Sequence, residues 1–347
     1  MSQPGDTPLS GPLSAAGPDP LPSAPLFQDV AQAPPGGTAH WLTAEDGRRL
    51  RLACWVPEAQ ENQASGAPGG LASGAHGGTV LLFPGRTEYI EKYGPAAGEL
   101  AARGFATAVI DWRGQGLADR LAPDPLAGHV TDFAEYQRDV RAMLLAAREL
   151  DLPRPWHLLA HSMGGCIGLR ALLEGMSVNS AVFSAPMWGI QLDRFLRPVA
   201  WSLGWLNNGL GRADRIAVKR TACKYVLETA FNDNVLTTDL EMYRFMRTQI
   251  EAHPELGLGG PSFGWGYAAL RECRRLRELA APDVPCLTFL GSNERLVDMD
   301  AIRDRMAGWP QGTLIDMPGA EHEIMMESPE RRQDFYDRAA AHFHANR

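Results

Sequence analysis

Several things are scarce in this 347-residue chain, and each scarcity excludes something. No apolar run approaches the roughly 18 residues of a membrane-crossing helix. No Lys or Arg precedes Arg48, so the basic region of a secretory leader is missing and the cytoplasm is the expected compartment. Cysteine is limited to Cys54, Cys166, Cys223, Cys273 and Cys286, an odd set without a C-x-x-C pair. That pattern argues against a disulfide framework or zinc site and for reduced, buried thiols. A basic excess is also lacking: 33 Lys and Arg stand against 41 Asp and Glu, a net charge of -8. Nucleic acid is therefore not an expected partner. What remains is 45% hydrophobic and 21% charged, a globular composition. The length suits one large α/β domain with an insertion as well as two domains.

Residues 1–25 interleave seven prolines with Gly, Ser and Ala. Such a stretch buries too little apolar surface to offset its ordering entropy and is expected to be a disordered tail. A second Gly/Ala/Ser-rich stretch, Glu58–Gly78, lies between two apolar runs and is read as a long surface loop. His40–Thr43 and Leu50–Val56 flank an Asp46-Gly47 hairpin signal. Buried-strand candidates follow at Val80–Phe83, Ala106–Ile110, His157–Ala160, Ala181–Phe183, Cys286–Leu290 and Thr313–Ile315. Helical patterns at Tyr93–Arg103, Phe133–Leu150, Met163–Leu173 and Pro329–His344 alternate with them. Continuous apolar strands alternating with helices predict an α/β fold with a mostly parallel central sheet flanked by helices.

Residues 187–280 break that rhythm, carrying helical patterns and no convincing strand. Trp188, Trp201, Trp205 and Trp265 fall there, which points to a helical cap over the sheet. The expected division is thus a core over 26–186 and 281–347, with 187–280 inserted. Between Asp193 and Lys224, seven basic residues (Arg194, Arg197, Arg212, Arg215, Lys219, Arg220 and Lys224) meet two acids, Asp193 and Asp214. Beside Trp201, Trp205 and Leu206, this local excess suits peripheral contact with an anionic membrane surface, on its inner face for a cytoplasmic protein.

The strongest chemical signal is Leu158-Leu159-Ala160-His161-Ser162-Met163-Gly164-Gly165, an apolar strand running into a serine and then a helix. This is the G-x-S-x-G elbow with Ala160 for the first Gly. Small residues two before and two after Ser162 let the backbones of its strained turn approach. The Met163 N–H, at the helix start, is placed for an oxyanion. A second donor is expected from Phe83-Pro84-Gly85-Arg86-Thr87-Glu88, where Gly85 permits a sharp turn and the Arg86 N–H can face the site. The Arg86 side chain either meets an anionic head group or pairs with Glu88. The base is expected to be His322, in a loop after the last strand candidate, whereas His161 is read as packing. Its orienting acid is Glu294 or Asp298, both following Cys286–Leu290. Glu294 is preferred because Asp298 stands where it would cap a helix. Trp188, at the start of the insertion, is a candidate substrate contact.

These motifs, together with Asp111-Trp112-Arg113-Gly114-Gln115-Gly116, Gly128-His129-Val130, Ser184-Ala185-Pro186-Met187 and Gly319-Ala320-Glu321-His322-Glu323, resemble the α/β-hydrolases of the monoacylglycerol-lipase-like serine hydrolase group, and within it bacterial lysophospholipases. The resemblance implies an α/β-hydrolase fold with residues 187–280 as a helical lid. It implies Ser162 as nucleophile, His322 as base and the Arg86 and Met163 amides as oxyanion donors. The group usually has Asp where Glu294 stands, which keeps Asp298 open. The implied activity is release of a fatty acid from a lysophospholipid or monoacylglycerol, without metal or organic cofactor. A small-ester carboxylesterase, an aminopeptidase using Glu228 or Glu241 to hold a substrate amine, and a non-catalytic ligand-binding protein are the competing readings.

Overall fold

The computed structural model of the protein describes residues 20–57, 77–193, 195–217 and 225–347. Most of the expected 1–25 tail and Glu58–Gly78 loop lies outside these residues. So do Arg194, Lys219, Arg220, Lys224 and Cys223.

The apolar runs form β1 (Thr38–Thr43), β2 (Arg49–Trp55), β3 (Thr79–Phe83), β4 (Ala106–Asp111), β5 (Trp156–His161), β6 (Ala181–Ser184), β7 (Cys286–Gly291) and β8 (Gly312–Met317). They make one eight-stranded sheet in the order β1-β2-β4-β3-β5-β6-β7-β8. β1 and β2 are antiparallel to each other, and β2 is antiparallel to β4. The remaining pairs are parallel. The helices are α1 (Gln28–Ala31), α2 (Gly94–Ala101), α3 (Ala134–Glu149), α4 (Met163–Leu173), α5 (Leu196–Gly209), α6 (Tyr225–Glu228), α7 (Leu240–Ala252), α8 (Phe263–Arg277), α9 (Met299–Ala307) and α10 (Pro329–Ala345).

Period-two alternation sends neighbouring strand residues to opposite faces. Leu81, Phe83, Leu158, Ala160 and Phe183 pack into one core with residues of α3, α4 and α9. Val80, Leu82, Leu159, Val182 and Phe289 pack into another with α2 and α10. Between β6 and β7 the described residues form no strand of the sheet, but α5 to α8, two short 3-10 turns (Phe231–Asp233 and Pro254–Leu256) and isolated bridges. A third cluster joins Val226, Met242, Phe245, Met246 and Ile250 of that insertion to Tyr89 and Met326 of the sheet domain.

One expectation is corrected at the N-terminus. Residues 20–25 belong to the fold: Ala24 N–H donates to Ala39 O, and Trp41 N–H to Pro22 O. A proline-rich segment can line an edge strand in this way because its carbonyls accept while its missing N–H groups face outward.

Asp111-Trp112-Arg113, at the C-terminal end of β4, is structural. Arg51 lies fully buried between Asp111 and Glu91, with Nε 2.7 Å from Asp111 Oδ2 and Nη2 2.8 Å from Glu91 Oε2. Asp111 also accepts from the N–H groups of Ile90 and Leu117. This ties β2, β4 and the loop after β3 into one unit. Removing the single cation leaves two buried carboxylates, so Arg51→Met is expected to destabilise the fold by about 3–5 kcal/mol, read by urea unfolding.

Candidate active site

The site lies where the sheet order reverses. β3 stands between β4 and β5, so the loops leaving β3 and β5 at their C-terminal ends face one crevice. β5 runs straight into α4 through Ser162, whose backbone sits at φ 48° and ψ −118°. This turn holds the serine above the sheet edge. It closes only because its neighbours are small. A Cβ on Gly164 would strike the carbonyl oxygens of Phe83 and Pro84, and one on Gly165 would strike Pro186. The same contact presses the elbow, which carries Met163, against the loop after β3, which carries Arg86. Neither the Met163 N–H nor the Arg86 N–H has a backbone or side-chain acceptor among the described residues.

The loop after β8 brings His322 to the serine, with Nε2 2.9 Å from Ser162 Oγ. The loop after β7 brings Glu294, whose Oε2 is 2.7 Å from His322 Nδ1. The other Glu294 oxygen accepts from the N–H groups of Leu296 at 2.6 Å and Val297 at 3.1 Å. One oxygen is thus fixed by the backbone and the other is aimed at the imidazole, a use for the longer Glu arm. With Nδ1–H donated to Glu294, Nε2 is left to accept the serine proton.

Asp298 is placed elsewhere. It caps α9 through Ala301 N–H and pairs with Arg197 at 2.8 Å. Burial opposes the Glu294 charge, but His322 and the two N–H groups outweigh it and hold the carboxyl at about 2. Burial likewise disfavours the imidazolium of His322, and Glu294 more than offsets it, raising His322 above the ordinary histidine value.

His161 does not reach the hydroxyl. Its Nδ1–H donates to Ser184 O at 3.0 Å, and its ring lies against His322, centroids 4.8 Å apart. Burial lowers it to about 4, so it stays neutral beside His322.

Ser162 and His322 open onto a cavity of about 380 Å³, whose apolar wall includes Met187, Ile190, Val226, Leu236, Met246 and Ile250. Arg86 and Trp265 line it as well. Trp188 does not, and its candidacy as a substrate contact is corrected. Its indole is buried, donates to Gly165 O and stacks on Trp309, so it wedges the insertion onto α4. Arg86 does not pair with Glu88 either. Its Nη2 donates to Gly259 O and its guanidinium lies over the Trp265 ring, 4.9 Å from the centroid.

A family model described as serine aminopeptidase, S33, matches residues 74–329. The chain belongs to this α/β-hydrolase family. Lysophospholipase L2 of Escherichia coli strain K12 is 31% identical over 283 residues, covering 76% of this chain and 81% of its own. A probable lysophospholipase L2 of Haemophilus influenzae is 28% identical, covering 74% and 80%. Among solved structures, a soluble variant of monoglyceride lipase from Saccharomyces cerevisiae superposes with a TM-score of 0.65 at 18% identity, covering 88% of this chain and 96% of that one. That likeness carries the α/β-hydrolase fold.

Within this hydrolase, sequence reasoning missed a buried charge cluster beneath the elbow. Glu88 accepts from Lys92 at 2.8 Å, and also from Tyr93 O–H and Gly85 N–H. Lys92 pairs as well with Glu323, next to His322. Lys92 thereby ties the β3 loop to the histidine loop. Ligand-type atoms of Glu88, His161 and Glu323 lie within 4.8 Å of one another, and the Lys92 ammonium supplies the positive charge among them. The Glu88/Lys92 spacing of four was a visible signal; the tie to Glu323 was not.

Glu294→Gln is expected to cut kcat by about 10³–10⁴. The carboxylate stabilises the imidazolium, so its loss lowers the His322 pKa. The acid limb of the residual activity then moves to lower pH, read from kcat/KM against pH.

Proposed function

We propose that this protein is a carboxylic ester hydrolase of the lysophospholipase type, releasing fatty acid from a single-chain lipid ester through Ser162, His322 and Glu294. The observation that carries the reading is the continuous hydrogen-bonded run from Glu294 through His322 to Ser162, opening onto an apolar cavity. The lysophospholipase L2 relatives support the same substrate class.

His322 Nε2 takes the Ser162 proton as Oγ attacks the ester carbonyl. The Arg86 and Met163 N–H groups receive the oxyanion. His322 returns the proton to the leaving glyceryl oxygen, and an acyl-serine remains. Water, deprotonated by His322, attacks the acyl carbon and frees the fatty acid, restoring Ser162. Glu294 holds the tautomer and stabilises the charged ring throughout.

An aminopeptidase needs a carboxylate for the substrate amine. Glu228 and Glu241 are exposed and lie outside the cavity lining, and the lining carboxylates Glu88 and Glu323 are engaged by Lys92. Both facts count against that reading.

Residues 187–280 serve as the lid. Val226, Met246 and Ile250 of this segment wall the cavity together with core residues, which suits an acyl chain running beneath it. α5 and its two capping residues present Phe195, Leu196, Val199, Trp205 and Leu210 outward, Phe195 at 72% and Trp205 at 68% exposure. Among the described residues no helix is long and apolar enough to cross a membrane. The exposed face of α5, with Arg197, Arg212 and Arg215 nearby in sequence, suits peripheral contact instead, at the inner leaflet for a cytoplasmic enzyme.

Ser162→Ala is expected to abolish fatty-acid release from lysophosphatidylcholine and monoacylglycerol of matched chain length; wild type inactive on both overturns the reading. Replacing Trp205 and Leu210 by serine is expected to reduce co-flotation with anionic vesicles several-fold. Unchanged flotation removes the membrane contact.

A further inference from the structure

We propose that the Arg86 side chain is the phosphate-binding subsite of this cavity and selects lysophospholipids over monoacylglycerols. The inference rests on the ester-hydrolase reading and adds the feature of the substrate that the pocket reads.

The starting observation is an unpaid charge. The buried arginines of the fold are neutralised: Arg51 by Glu91 and Asp111, Arg113 by Asp139, Asp46 and Glu135, and Arg170 by Glu174 and Glu272; Arg86 is half-buried. Arg86 has no carboxylate at ion-pair distance among the described residues. Glu88, two residues on, is committed to Lys92, Tyr93 and Gly85. Arg86 Nε is closed off from solvent and has no acceptor. Burial without a counter-charge pulls the guanidinium down to about 10, so it is still protonated at neutral pH. A half-buried cation without a partner has lost part of its hydration, and a ligand anion that completes it recovers part of that cost.

The guanidinium is held without being neutralised. Gly259 O accepts from Nη2 at 3.0 Å, and Trp265 supplies its ring face. Gly128 leaves room for the group: a Cβ there would collide with Nη2. The 259–265 stretch thus holds one cation, with room left by Gly128, on the wall of the cavity that contains Ser162 and His322. A fixed, planar fork of N–H donors matches a phosphate.

The reach of the two chains is compatible as well. As many bonds separate the Arg86 backbone nitrogen from its Cζ as separate the ester carbonyl carbon from the phosphorus of a 1-acyl lysophospholipid. The N–H addresses the developing oxyanion while the guanidinium addresses the phosphodiester. A monoacylglycerol offers the first contact and lacks the second.

The test compares kcat/KM of wild type, Arg86→Gln and Arg86→Lys on 1-acyl lysophosphatidylcholine and 1-monoacylglycerol of one chain length. Loss of a charge-assisted contact is expected to lower the lysophospholipid-to-monoacylglycerol ratio by about 10- to 100-fold in Arg86→Gln, with Arg86→Lys between it and wild type. Glycerophosphocholine is expected to inhibit monoacylglycerol hydrolysis by wild type more strongly than inorganic phosphate does, and to lose that potency in Arg86→Gln. A ratio that stays constant while both activities fall marks a disturbed β3 loop and overturns the proposal, leaving the ester-hydrolase reading intact. Inorganic phosphate as potent as glycerophosphocholine marks a small-anion site and also overturns it. Wild type inactive on both lipids sinks the underlying reading instead.

Discussion

The backbone of Ser162 is the constraint around which the rest is arranged. A non-glycine residue at φ 48° and ψ −118° costs on the order of 1–3 kcal/mol and persists only when its surroundings over-determine it. Here they do. Ser162 N–H donates to Ser184 O on the neighbouring strand, and Ser162 O accepts from Met187 N–H. Ala160, Gly164 and Gly165 remove the side chains that would push α4 away. The strain fixes the hydroxyl over the C-terminal edge of the sheet, with the helix N-terminus behind it, and the other reactive groups are placed relative to that point.

Those groups arrive on separate loops, and buried charge holds the loops together. Lys92 stands between Glu88 on the β3 loop and Glu323 on the histidine loop. Arg51 joins the β2–β4 pair to the same region. Such pairs add little net stability, because desolvating each ion offsets most of the attraction. Their strict geometry instead suits the registry of one loop against another. The electrostatics near the reacting atoms follow the same order: His161 stays neutral and His322 alone is poised to take a proton, with Glu294 waiting for it.

The legible features of the sequence were local. Alternating strand and helix patterns carry the sheet, and the elbow is readable because strand, small residues, serine and helix are contiguous. The helix-cap signal at Asp298 was also local, and the structure places that residue at the cap. The choice between Glu294 and Asp298 needed the β7 and β8 loops in space. Trp188 misled because an indole beside an insertion looks the same in sequence whether it faces a pocket or a helix. The joining of Glu88, Lys92 and Glu323 into one buried cluster escaped notice because it depends on loops distant in sequence meeting under the elbow. Residues 20–25 looked like tail because composition alone does not reveal that their carbonyls meet an edge strand. Arg86 was singled out, but only packing separates an unpaired cation from one matched with Glu88.

The central claim is that Ser162 is activated by His322 and Glu294 in this cavity. Peptide mass spectrometry after reaction with an alkyl fluorophosphonate tests it most directly. A single adduct on Ser162, forming at a rate that falls as pH drops through the raised His322 pKa, is the predicted result. Labelling of another residue, or an unlabelled Ser162 in protein that still hydrolyses a lipid ester, would contradict it.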